Sequence, residues 1–267
     1  MIPSVLVNFA VTAAVLLVVM VAAFLVGRAM GRHRIIDAVW GAAFAVVALV
    51  TFGLSTGHGD TARRILITVL TVVWGVRLSV HIGLRGRGAP EDPRYEAMLS
   101  KAPGNRDWYA FRKVYLLQGA LVWFVSLPVQ VGQYPGPVAT WLTVATAVVG
   151  CVLWAVGFFF ETVGDWQLER FKADPSKRGT LLTTGLRRYT RHPNYFGDAC
   201  VWWGLFALAC LTPWGLLTLL SPVVMTWLLT SGSGKPLMEK HLKENKPGYA
   251  AYAERTSSFV PLRPRGR

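Results

Sequence analysis

Cysteine is scarce in this chain. The 267 residues hold only Cys151, Cys200 and Cys210, and all three lie inside apolar runs. Neither a disulfide framework nor a zinc-type spacing can be built from them, so they read as small packing residues. Phosphate fingerprints are missing too. There is no Walker loop and no Gly-x-Gly-x-x-Gly after a strand, which leaves a Rossmann domain unsupported. There is also no nucleophile elbow and no metal-ligand spacing. Acidic residues are few, 14 against 28 Lys and Arg. A net charge of +14 would suit nucleic acid. However, the basic residues are divided among short loops and mixed with acids, so nucleic acid is set aside as a partner. Positive-inside bias and contact with anionic lipid heads account for the excess.

What the chain has in abundance is apolar sequence. Hydrophobic residues make up 53% of it, with 11 Trp, and the mean hydropathy is +0.40. Val5 to Val26 is a run of 22 residues without charge. That is enough to cross the roughly 30 Å hydrocarbon core of a bilayer. No basic segment precedes it and no small-residue cleavage site follows, so it is read as a span rather than a signal peptide. Six more runs follow: Ile36 to Leu54, Ile65 to Leu84, Val114 to Gly132, Val138 to Phe160, Ala199 to Leu211 and Trp214 to Thr230. Thr212-Pro213 divides the last two, which form either a tight helical hairpin or a re-entrant pair; the hairpin is favoured. Basic residues fill the odd-numbered connections and the tail, and the fourth and sixth connections have none. The expected fold is an all-α integral membrane bundle of about seven spans, with the N-terminus outside and the tail cytoplasmic.

Four polar clusters stand out on the cytoplasmic side of that layout. Trp74, Arg77, His81 and Arg85 are spaced 3, 4 and 4 and fall near one helical stripe, with Arg87 just beyond. An arginine that deep in a span faces the bundle interior and a partner. Asp37 is one such partner, and an arginine paired that way can still border a site. Glu161, Asp165 and Lys172 share a face of a helix that continues the fifth span. The third cluster is Arg187-Arg188-Tyr189-Thr190-Arg191-His192-Pro193-Asn194-Tyr195-Phe196-Gly197-Asp198. Pro193 disfavours helix at His192, giving a structured turn that presents Arg191, Asn194 and Tyr195. Arginine matches phosphate in bidentate fashion, and an asparagine amide both donates and accepts. A loop held to lipid phosphates is the plainer alternative. The fourth cluster is the tail. Pro236 to Lys246 reads as a short helix, and Tyr249 and Tyr252 then share a face. A membrane-surface helix and a cofactor lid are equally open there. His33 and His58 sit at span ends and read as solvated.

Several of these segments resemble the steroid 5α-reductase family. They are Gly157-Phe158-Phe159-Phe160-Glu161-Thr162-Val163-Gly164-Asp165, Arg191-His192-Pro193-Asn194-Tyr195-Phe196-Gly197-Asp198, Trp202-Trp203-Gly204, and Gly248-Tyr249 with Tyr252 before Pro261. The whole chain looks like a bacterial branch of that superfamily. The resemblance implies a multi-pass enzyme of the bacterial inner membrane that uses NADPH to reduce a carbon–carbon double bond in an enone-type lipid. In that reading the first four spans, residues 1–132, form the substrate side, and residues 138–267 the cofactor side.

By position, Asp165, Asn194 and Tyr252 match family residues at the cofactor, and Arg85-Gly86-Arg87 matches a basic stretch after the third span. Arg85, Arg87, Arg178 and Arg191 are then phosphate candidates. Asp165, Asn194, Tyr195 and Tyr252 are candidates for ribose, amide or ring contacts. Glu161, Lys172, His192, Asp198 and Arg255 complete the cofactor set. Asp37, Arg77 and His81 are the candidates for stabilising an enolate and supplying a proton.

Four positions depart from the family pattern. Glu161 replaces a usual asparagine and Lys172 a usual arginine. Trp74 falls near the ketone-holding tyrosine, and Asp37 is the only carboxylate near the place of an assisting glutamate. A related group, the S-adenosylmethionine-dependent membrane methyltransferases, shares Arg-His-Pro-x-Tyr, but its paired adjacent glutamates are here Glu239 and Glu244, which are not adjacent. A non-catalytic lipid-binding membrane protein is the remaining reading.

Overall fold

The computed structural model describes residues 2–232 and 235–265, and among these every named element is helical. The helices are α1 Ile2–Ala29, α2 Ile35–Leu54, α3 Thr61–Gly86, α4 Pro93–Leu99, α5 Arg106–Ala110, α6 Leu117–Val125, α7 Leu127–Gly132, α8 Thr140–Ala173, α9 Pro193–Ala209, α10 Pro213–Leu216, α11 Leu220–Thr230, α12 Lys235–Asn245 and α13 Tyr249–Arg255. The chain separates into two compact units. One comprises residues 1–144 with 208–221, the other 145–207 with 222–267.

In the first unit, α1 buries a single stripe: Asn8, Thr12, Leu16, Met20, Ala23 and Gly27. Steps of three and four put these residues on one face. The rest of the helix is equally apolar but exposed, as at Leu6, Val18 and Leu25. A helix that is apolar all round with only one face covered by protein suits a lipid surround. The buried polar pair on this stripe is answered from α7. Asn8 and Thr12 both donate to Gln130 Oε1, at 3.3 and 2.8 Å, and Gln130 Nε2 donates to Trp123 O and Ser126 Oγ, each at 3.0 Å. Helices α2 and α3 meet backbone to backbone at Gly41 and Gly75, where a Cβ on either would collide with the carbonyl of the other.

The run expected as one span from Val114 to Gly132 is divided. A π-helical turn, Phe111–Leu116, leads into α6, and a break at Ser126 separates α6 from α7. Pro128 has no N–H to give to the carbonyl one turn back, so the helix restarts there. The π-turn carries Tyr115, which is fully buried. Its hydroxyl occupies the place where a side chain on Gly27 would stand.

In the second unit, α8 and α9 are joined by glycines at seven-residue intervals. A Cβ on Gly157 would lie 2.6 Å from Val201 N, one on Gly197 2.6 Å from Glu161 N, and one on Gly204 2.7 Å from Gly150 O. Small residues let membrane helices approach this closely. The same face of α8 buries Gly150, Gly157, Glu161, Gly164 and Asp165. As its charged face suggested, α8 runs on to Ala173. Trp203 Nε1 donates to Thr226 Oγ1 at 3.1 Å and ties α9 to α11.

Candidate functional site

The long third connection folds back over the start of α2 in the first unit. Glu91 accepts from the backbone N–H groups of His33 and Arg34, at 2.5 and 2.9 Å, and caps α2 from a distance in sequence. A carboxylate placed there meets the positive end of the helix. Arg32 and Arg34 donate to the carbonyls of Ala89 and Pro90, at 2.9 and 2.6 Å, and hold the same strand of chain. This brings α4 against α2. Tyr95 donates its hydroxyl to Asp37 Oδ1 at 2.5 Å, Arg94 Nη2 reaches Asp37 Oδ2 at 3.3 Å, and Gln118 Nε2 donates to the Tyr95 oxygen at 3.1 Å. Burial first, and then the Asp37 charge, hold the Tyr95 phenol well above its ordinary range. Tyr95 is therefore a neutral donor throughout the physiological range.

One expectation is extended here and one corrected. Asp37, expected beside Arg77, meets Tyr95 and Arg94, which the folded-back connection brings to it. His33 is not solvated. It is 6% exposed, and its Nδ1 lies 3.1 Å from Tyr115 Oη. Phe24 stacks on its ring at 6.4 Å. Arg77 and His81 lie together in a shallow groove of α3 among Val72, Val73, Val76 and Val80. Arg85 and Arg87 are exposed at the end of that helix.

In the second unit the Arg187–Asp198 segment makes a clamp. Arg191 Nε and Nη2 both donate to Glu239 Oε1, at 2.9 and 2.7 Å. Its Nη1 donates to Ala253 O and Thr256 O, at 2.8 and 2.7 Å. The backbone joins in: Arg191 N donates to Ser257 O at 2.9 Å, and Thr190 Oγ1 to Phe259 O at 2.7 Å. Arg191 thus uses nearly all its donors within the chain, fastening α12 and α13 beside the start of α9. Burial works to raise the Glu239 carboxyl, but the Arg191 hydrogen bonds and charge outweigh it and hold the group below its usual value.

His192 is 2% exposed and lies 3.2 Å from the same Glu239 oxygen. Burial pushes its imidazole down to about 4. It is therefore neutral near pH 7, and its Nε2 carries the proton that faces Glu239. Its ring stacks on Tyr195 at 5.2 Å.

Arg187 differs from Arg191. It makes one side-chain hydrogen bond among the described residues, from Nη1 to Arg191 O at 2.7 Å, and its buried Nε has no partner. Burial pulls its guanidinium below the ordinary value, against the pull of Tyr252, Asp165, Tyr195 and Tyr249 around it. The hydroxyl of Tyr252 donates to Arg187 O at 2.5 Å. Asp165 is buried one residue from Gly164, where a Cβ would lie 3.5 Å from Asn194 N. The structure therefore gathers Asp165, Arg187, Asn194, Tyr195, Tyr249 and Tyr252 at one end of the second unit. Glu161 and Asp198 lie a turn away on α8 and α9, Glu161 being 3% exposed. Lys172, Arg178 and Arg255 are exposed.

Sequence reasoning missed Tyr95, Arg187 and Glu239 as site residues. Arg187 lay inside the motif and was legible as a cation. The other two are brought in by contacts across 58 and 48 residues, for which no local spacing exists.

Among the described residues five helices are long and apolar enough to cross a membrane, and each unit carries an ionic cluster; together these define a multi-pass membrane protein. Residues 23–256 match the family described as protein of unknown function DUF1295, and the chain belongs to that family, part of the steroid 5-alpha-reductase-like superfamily. An uncharacterised protein of the fission yeast Schizosaccharomyces pombe is 22% identical over 254 residues, which is 85% of this chain and 72% of the yeast protein. No solved structure matches the chain.

Proposed function

We propose that this protein is an NADPH-dependent membrane reductase acting on a carbon–carbon double bond of an unsaturated, enone-type lipid. In this reading seven spans cross the bacterial inner membrane, with the N-terminus outside and the tail cytoplasmic. The observation that carries it is Arg187. A buried guanidinium with an unfilled Nε, set beside Asp165, Asn194 and two tyrosines, is a poor end-state for a charge and a good one for an anionic ligand. The residues fit a nucleotide: Arg187 meets a phosphate, Asn194 and Asp165 meet hydroxyl or carboxamide groups, and Tyr195 and Tyr252 offer ring faces. When bound, NADPH supplies hydride.

The chain's own share of the chemistry is polar. A hydride added at the β-carbon of an enone leaves negative charge on the ketone oxygen, and a proton must follow. In the first unit Tyr95, a neutral phenol hydrogen-bonded to Asp37 beside Arg94 and Gln118, is a proton-bearing group of the kind such a step uses. Arg191, nominated on sequence for phosphate, becomes a positioning residue here. It fixes the tail and the turn from which Arg187 projects.

Calorimetry of the full chain in detergent with NADPH tests this reading. Arg187→Met is expected to weaken binding about tenfold or more, from the roughly 1.5–3 kcal/mol of a charge-assisted hydrogen bond. Asn194→Ala should weaken it less and leave helicity unchanged. Copurified S-adenosylmethionine, with NADPH affinity the same in both variants, would replace this reading with the methyltransferase. A cavity holding only lipid would point to a non-catalytic binder.

A further inference from the structure

The first unit contains a cavity away from the Asp37 cluster. About 320 Å³ of open space lies among the first turns of α1, the end of α7 with the following Tyr134-Pro135, and α10 with Leu217 and Thr218. That volume falls at the lower end of the roughly 300–1,000 Å³ of small-molecule sites. It is walled by α1 as far as Phe9, whereas Phe24 of the same helix stacks beside His33 near the Glu91 cap. At 1.5 Å per residue the two regions stand roughly 20 Å apart along α1.

The walls are almost wholly apolar, and the two polar side chains in them are unequal. Thr218 already donates its proton to Gly215 O at 2.7 Å. Tyr134 is 2% exposed, and its buried hydroxyl has no hydrogen-bond partner. An orphaned buried hydroxyl is costly, and a ligand that accepts from it removes that cost. Arg63 stands behind the same wall, with Nη2 on the carbonyls of Pro135 and Gly136. On the outer side Leu6, Trp214 and Leu217 are about half or more exposed, which leaves the cavity open to a chain entering from the bilayer.

We infer that this cavity binds an alkyl chain ending in an oxygen acceptor, a carboxylate or an ester carbonyl, with Tyr134 donating to that oxygen. Two sources share this chemistry: a free long-chain carboxylic acid and the acyl ester of a bilayer phospholipid. The site does not depend on the reductase reading, since none of its residues belongs to either ionic cluster.

Photolabelling tests it. The full chain in detergent is treated with a palmitic acid carrying a diazirine, then irradiated, and the labelled peptides are mapped. Label is expected on residues 2–9, 127–135 and 214–218. Competition by excess oleic acid identifies the free acid as the source, and competition only by dioleoylphosphatidylcholine identifies the phospholipid; either result supports the site. Tyr134→Phe should raise the half-saturating probe concentration about three- to tenfold, the worth of one hydrogen bond. Val131→Trp, which fills the space, should remove the label, with helicity followed by circular dichroism. If Val131→Trp does not fold, the Tyr134→Phe comparison decides alone. Label spread over the exposed faces of α1 and α8, unchanged in Tyr134→Phe, would mean annular lipid contact and overturn the assignment.

Discussion

The two units handle buried charge in opposite ways. In the first, Asp37 meets a neutral phenol and an arginine that is 56% exposed. In the second, the salt bridge between Arg191 and Glu239 is withdrawn from solvent, at 12% and 19% exposure, and the arginine also fills its remaining donors with backbone carbonyls. The same residue type thus does two jobs. Arg94 trims the charge of a partly exposed carboxylate, while Arg191 is consumed by architecture. A motif dense in arginine is therefore not by itself a ligand site, and the donor left unfilled, on Arg187, is the more informative one.

Four perturbations test that contrast, beginning with the largest. Gly197→Val puts a side chain against Glu161 N and the α8 backbone, and should destabilise the second unit by on the order of 4 kcal/mol, read as a lowered melting temperature in detergent. A melt within a degree of the parent would show that the seam is not tight. Arg191→Met leaves Glu239 buried without its cation and should cost about 3 kcal/mol. Hydrogen exchange at residues 249–257 should rise while α2 and α3 stay protected, and a uniform response across both units would erase the distinction.

Acid gives the third test. The folded His192 pKa of about 4 lies below its unfolded value of 6.5, so the unfolded chain binds the extra proton. Stability is then complete above pH 6.5 and falls as pH drops toward 4. The loss is about 2 kcal/mol at pH 5. The lowered Glu239 acts with the same sign but only further down, below its own unfolded value. Protection factors of the tail amides, taken relative to the acid-slowed intrinsic rate, should therefore fall between pH 6.5 and 5, and His192→Gln should flatten the profile. The smallest effect is expected of Arg94→Met, whose partly exposed pair contributes less than about 1 kcal/mol to stability. A drop as large as that of Arg191→Met would put both arginines in one structural class.

Much of the helical layout was legible because apolar runs of span length admit few alternatives. The extension of α8 was legible because Glu161, Asp165 and Lys172 keep helical spacing. The division of the fourth run was not, although Pro128 marked the place, since a proline near a span end is compatible with either a kink or a restart. The clusters were only half legible. Asp165 and Asn194 fall together because Gly164 lets α8 lie against the turn before α9. The Tyr95–Asp37 pair rests on a loop that is held by Glu91 reaching the end of α2. Such a pairing depends on where a long connection folds, and periodicity carries no information about that.

The glycines between α8 and α9 have a consequence for depth. Because they recur every seven residues on both helices, the next alignment that brings bare backbone to bare backbone lies a full heptad away, roughly 10 Å along the axis. Intermediate slips meet side chains. The seam therefore acts as a vernier: it sets how far the Arg187–Asp198 turn stands along α8, and small sliding motions are not available to adjust it.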